Sequence, residues 1–140
     1  MKTAILTFML LFTLTCYGQQ PGEKLISTLG GVSHYSSTIS KQHLLNYPVL
    51  TAIVVPNDAS QKSTDEYKIS SAKVTITGKM NGENALYEFK ISNTNVLSTD
   101  LLNRLQKSQI GDKIFIEEIK AESKKDGTTH TLPSMTFTIE

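Results

Sequence analysis

Residues 67–92 read YKISSAKVTITGKMNGENALYEFKIS, two alternating runs around Asn81-Gly82, and this stretch decides the fold. Tyr67 and Ile69 share one parity, whereas Ala72, Val74 and Ile76 share the other. A phase slip of this kind near Ser70-Ser71 predicts a β-bulge or a change of strand partner. Asn81 and Gly82 both tolerate positive φ, so they predict a tight hairpin turn. Beyond the turn, Ala85, Tyr87, Phe89 and Ile91 alternate with Leu86, Glu88 and Lys90, the pattern of a strand with one buried face.

Downstream, Ser98 or Thr99 is placed to cap a short helix, with Asp100 in its positive first turn. Leu101, Leu102 and Leu105 form the apolar stripe of that helix, and Arg104 and Lys107 suit its C-terminal end. Residues 114–121 predict a strand with Phe115 and Ile119 on one face and Ile114 and Ile116 on the other. Asp126-Gly127 predicts a hairpin turn, and Met135, Phe137 and Ile139 then alternate with threonines in a further strand. Upstream, residues 24–29 read as a strand halted by Gly30-Gly31, and Ser40 caps a short helical turn that ends before Tyr47-Pro48. Residues 50–55 (LTAIVV) are nearly continuous and β-branched, which predicts a strand buried on both faces. Residues 59–66 are polar and read as a mobile loop. Short strands with a turn signal every ten or so residues predict a mainly β fold, a β-sandwich-like domain whose edges are covered by two short helices.

The first eighteen residues have the form of a secretory signal peptide. Lys2 supplies a positive start, residues 4–14 are uncharged and apolar, and Cys16-Tyr17-Gly18 places small residues before a cut ahead of Gln19. The apolar run is shorter than the roughly 17–25 residues that span a bilayer. Cys16 is the single cysteine. The alternative reading is a lipoprotein anchored through Cys16, but Leu14 stands one position out of register for that signal. A cut after Gly18 leaves residues 19–140 as a single domain with no disulfide and no thiolate ligand. The chain has 14 basic and 13 acidic residues, and losing Lys2 brings them level. No basic excess is left to attract nucleic acid or an anionic membrane surface. The expected location is periplasmic or secreted, with no membrane span once the leader is removed.

The chemistry-bearing residues do not form a known reactive pattern. His34, His43 and His130 lack the helical spacing of paired zinc ligands, and their polar neighbours predict exposed rings. Gly31-Val32-Ser33-His34 is not a nucleophile elbow. Glu117 and Glu118 are adjacent on a strand, so alternation predicts that they point to opposite faces and do not converge. Asp126-Gly127 lacks the alternating acids of a calcium loop, and Gly30-Gly31 lacks the lysine spacing of a phosphate cradle. Tyr35, Tyr47, Tyr67 and Tyr87 are scattered along the chain, with Tyr67 and Tyr87 at core parity. No catalytic, cofactor-binding or metal residue is therefore assigned, no cofactor is expected, and the protein is read as no enzyme.

The order of several segments nevertheless resembles a known family. Tyr67-Lys68-Ile69-Ser70-Ser71 enters a strand, followed by a Leu-rich segment, Gly111-Asp112-Lys113-Ile114 and Glu118-Ile119-Lys120-Ala121. Asp126-Gly127 and Leu132-Pro133-Ser134-Met135-Thr136-Phe137 complete the pattern, with Gly30-Gly31, Ile39-Ser40-Lys41 and Leu44-Leu45 at its start. Together they resemble the C-terminal domain of GldM, the gliding-motility and type IX secretion protein called PorM in non-gliding relatives. The resemblance spans nearly all of residues 19–140. It implies a β-rich periplasmic domain with a structural role, and no catalytic residues carry over. GldM-like proteins carry an inner-membrane helix and several periplasmic domains, whereas here a leader and one domain are expected. The family tends to place a basic residue after the Asp-Gly turn, where Thr128, Thr129 and His130 stand.

The expected function is a non-enzymatic exported structural or protein-interaction module, linked to gliding motility or type IX secretion, whose partner is a cell-envelope protein or a copy of itself. The alternative is a small-ligand or glycan-binding periplasmic domain using residues 33–42 and 59–66.

Overall fold

The hairpin forms where the alternation places it. In a computed structural model, which describes residues 24–55 and 66–140, strands β5 (Tyr67–Met80) and β6 (Glu83–Ser92) pair antiparallel from Ser71↔Ser92 to Met80↔Glu83. Asn81 and Gly82 close the turn at φ 54° and 87°. Two successive positive φ values match the right-handed twist of the flanking strands.

Four further strands extend this hairpin into the larger sheet: β3 (Thr38–Ile39), β7 (Lys113–Ser123), β8 (Thr129–Thr131) and β9 (Met135–Ile139). The strand order is β3-β9-β7-β5-β6, and β8 pairs with β7 beyond the end of β9. Register aligns the apolar positions into rows across the sheet. One row runs Tyr87, Ile76, Ile114 and Phe137, and the next runs Phe89, Val74, Ile116 and Met135. Ile76, Ile114, Ile116, Met135 and Phe137 are fully buried. The two edge aromatics, Tyr87 and Phe89, are only half-buried.

The predicted slip near Ser70-Ser71 is a bulge. Ile69 pairs with Ala121 and Ser71 with Lys120, so β5 carries an extra residue at Ser70. The opposite strand compensates: Ser71↔Lys120 is followed by Lys73↔Glu117, and Glu118 adopts φ 52°. Pairing with β6 also begins at Ser71, so both readings of the slip hold together. The bulge in β7 overturns two expectations. Ile119 is buried on the same face as Ile114 and Ile116 rather than beside Phe115, and Glu117 and Glu118 are both exposed. Strict alternation fails where one residue turns left-handed and resets the phase.

The smaller sheet has the order β2-β1-β4, formed by β1 (Lys24–Leu29), β2 (Val32–Ser33) and β4 (Leu50–Val55). Gly30 and Gly31, at φ 58° and 82°, make the two-residue turn between β1 and β2. A side chain on Gly30 would also meet the Tyr47 carbonyl at 3.0 Å. β4 is not buried on both faces as its composition predicts. Leu50, Ala52 and Val54 are buried, Thr51 and Ile53 are half-exposed, and Val55 is exposed, because only one face meets the core.

Both helices start where their serines place them. Ser40 caps α1 (Lys41–Asn46) by accepting from the His43 backbone N–H, and Ser98 caps α2 (Thr99–Lys107) by accepting from that of Leu101. Leu44 of α1 and Leu101 and Leu105 of α2 enter one core cluster with residues of both sheets, and the sheets form a sandwich-like arrangement. Among the described residues the fold is mainly β with two short helices, and no closed barrel forms. The leader expected at 1–18 and residues 59–65 of the expected loop lie outside the described residues.

Candidate functional site

Among the described residues, the outer edge of β6 is the longest strand edge of the larger sheet that has no strand partner. β6 ends the strand order, spans ten residues, and pairs with β5 in unbroken register. A two-residue turn closes on a hydrogen-bonded pair, here Met80↔Glu83, and antiparallel pairing then alternates bonded and non-bonded pairs. Glu83, Ala85, Tyr87, Phe89 and Ile91 thus spend their backbone groups on β5. Asn84, Leu86, Glu88, Lys90 and Ser92 direct theirs outward. The strand contains no proline and no bulge, two devices that usually blunt such an edge. The other outer strands are shorter: β2 and β3 have two residues each and β4 has six. Part of the β4 edge is occupied, since the Leu50 N–H donates to the Asn95 carbonyl at 2.7 Å.

The side chains along β6 form two rows. Leu86, Glu88 and Lys90 face outward, with Leu86 69% exposed. Lys73 lies directly opposite Lys90, in a non-bonded pair where side chains come closest. Lys73 turns diagonally to Glu88, at 2.9 Å. The hydrogen bond and charge of Glu88 hold the Lys73 ammonium above its ordinary value, with smaller contributions from Glu117 and Glu118. The bulge therefore brings the two glutamates, expected on opposite faces, into the field of one lysine.

On the inner row, Arg104 reaches back from α2 and lies over the Tyr87 ring, 3.8 Å from its centroid. It passes above Gly78, where a Cβ would stand 1.7 Å from Nη2. Arg104 is the single arginine of the chain, and its Nε is buried with no hydrogen-bond partner among the described residues. In sequence, Arg104 is marked only as a cation suited to the C-terminal end of its helix. A glycine at core parity inside an alternating strand was the available signal of a close approach.

Beside the hairpin tip lies a groove of about 360 Å³ lined by Thr77, Lys79, Leu86, Asp112 and Lys113 among others. β5 outruns β7 here, because its pairing with β7 stops at Ile76↔Ile114. Thr77 bridges the gap, its hydroxyl accepting from the Lys113 backbone N–H at 2.7 Å. Asp112 is tied back by the Gln109 N–H at 2.9 Å.

The histidines do not come together, and two of them are not the exposed rings expected. His43 is half-buried, with Nε2 donating to the Gly30 carbonyl at 2.7 Å. His34 is also half-buried, packs on Tyr35 at 4.0 Å, and has a buried Nδ1 without a partner among the described residues. His130 is exposed beside the edge of the Tyr67 ring. Among the described residues no group of three or more His, Cys, Asp or Glu side chains is placed to hold a metal, and no helix is long and apolar enough to cross a membrane. Residues 33–42 are not a free loop: they contain β3, paired parallel to β9, and the start of α1. Asp126 holds its turn by accepting from the Thr128 N–H at 3.0 Å and hydroxyl at 2.7 Å. Those two bonds, with the Ser123 hydroxyl, bring its carboxyl down to about 2.

No protein-family model matches the chain, and no curated protein matches it.

Proposed function

We propose that this protein is a non-enzymatic structural module of the cell envelope that works by binding protein. The observation that carries the reading is the ten-residue free edge of β6, flanked by exposed Leu86 and half-buried Tyr87 and Phe89. An edge of this kind recruits an added strand through main-chain hydrogen bonds, while alternate side chains set specificity. The leader-like residues 1–18 support export to the periplasm or beyond. The resemblance to the GldM C-terminal domain supports a role connected with gliding motility or type IX secretion. Affinity capture from envelope extracts tests this function. Retention of an envelope protein or of a second copy is expected, and recovery of neither overturns the proposal.

The groove of about 360 Å³ favours a second reading, a small-ligand site. Its size falls at the lower end of the range for such sites, roughly 300–1,000 Å³. A metabolite and glycan panel read by thermal shift checks it, since a ligand that binds only the folded state raises the melting temperature.

A further inference from the structure

We infer that the partner of the β6 edge is a second copy of this chain, joined antiparallel about a two-fold axis at Phe89. This rests on the protein-interaction reading above and names the partner of that surface.

Backbone parity restricts the registers available. The outward-directed residues Leu86, Glu88, Lys90 and Ser92 must form the bonded pairs across the axis. One register also satisfies the side chains. Glu88 faces Lys90 of the second copy, Lys90 faces Glu88 of the second copy, and Leu86 faces Ser92. On the inner row, Phe89 meets its own copy in a close non-bonded pair, and Tyr87 meets Ile91. Shifting by one pair in one direction sets Glu88 against its own copy, and in the other sets Lys90 against its own copy. A shift further toward the turn places Ile91 against Glu83. Like charges placed directly opposite each other destabilise a strand pair.

The monomer supplies the demand for this arrangement. Lys90 faces Lys73 within its own sheet, and the Glu88 carboxylate is already bonded to Lys73. A second Glu88 arriving across the edge places a negative charge against Lys90. The half-buried Phe89 and Tyr87 lose their remaining exposure at the same time, as burial of apolar surface requires. The bonded pairs convert the outward N–H and C=O groups of both edges into one sheet continuous through the two copies.

Charge reversal tests the register. Sedimentation velocity on the full chain should show a dimer for the wild type. Glu88→Lys and Lys90→Glu each set like charges together twice, and each should weaken association by roughly tenfold or more. Lys90→Glu places a carboxylate opposite Lys73, so its folding is preserved and its melting temperature checks this. An equimolar mixture of the two variants should restore dimerisation. In the mixed dimer the introduced lysine of one chain faces the introduced glutamate of the other, and the native Lys90 of the first faces the native Glu88 of the second. A mixture no tighter than its components overturns the register, as does either variant associating like the wild type. A monomeric wild type overturns the pairing, whether residues 1–23 or a different protein covers the edge. Envelope capture by that monomer would leave the interaction reading standing, and capture of nothing would overturn both.

Discussion

A Cβ added to Gly78 would stand 1.7 Å from Nη2 and 2.9 Å from Cζ of Arg104, and only then 3.5 Å from the Tyr87 ring. The obstacle is the far end of a flexible side chain, so Gly78→Ala should displace Arg104 rather than distort the sheet. The loss is the cation–π contact, about 1 kcal/mol. In an Arg104→Ala background the same substitution should become neutral or stabilising by about 0.5 kcal/mol, because alanine restricts the unfolded chain. Urea titration of the four proteins measures this, and additive effects would refute the contact. Asp126 gives a residue-scale prediction in pH. Its carboxyl titrates near 2 in the folded protein against an ordinary 3.8. A depressed folded value stabilises fully above the ordinary value and is lost as pH falls through the folded one. The stability difference between wild type and Asp126→Ala should therefore be constant near neutrality, shrink below about pH 4, and fade toward pH 2.

At the scale of elements, the bulge in β7 gives two neighbouring glutamates different backbone conformations. Glu118 sits at φ 52°, a conformation that glycine adopts without penalty. Glu118→Gly should leave stability unchanged or raise it, whereas Glu117→Gly, in extended backbone, should cost about 1 kcal/mol. Chemical denaturation distinguishes them, and equal losses would place the bulge elsewhere. The same element shows what was legible beforehand. The Asn81-Gly82 turn, the Ser40 and Ser98 caps and the alternation of β6 are set by residues a few positions apart, and each forms where the pattern places it. The slip at Ser70-Ser71 was visible because the apolar parity changes within β5. Its counterpart at Glu118 was not, since a single left-handed residue changes the phase without a glycine to mark it. The free edge of β6 was hidden for a different reason. Which strand ends a sheet depends on β7 crossing to the other side of β5, a long-range choice that local pattern does not encode. The Arg104–Tyr87 contact likewise needs α2 folded back over the hairpin.

Across the whole molecule, both sheets and both helices meet in one cluster, so the loss of a central side chain should be felt everywhere. Phe137 is fully buried in β9 opposite Ile114, and both belong to the core cluster. Phe137→Ala should cost roughly 3–5 kcal/mol, a large share of the about 5–15 kcal/mol that holds a typical domain together. Tyrosine fluorescence and far-ultraviolet circular dichroism should still report a single shared transition, and separate midpoints would show that the two sheets melt independently. β9 occupies a position that matters in time as well as in space. It lies between β3, to which it runs parallel, and β7, with the Lys41 N–H reaching the Glu140 carbonyl beside it. A polypeptide that has emerged from the ribosome only as far as Ser134 has β3 with no strand neighbour and residues 113–116 of β7 with one flank bare. The larger sheet closes only once residues 135–139 have joined it, and until then Ile114 and Ile116 lack their cross-strand neighbours Phe137 and Met135.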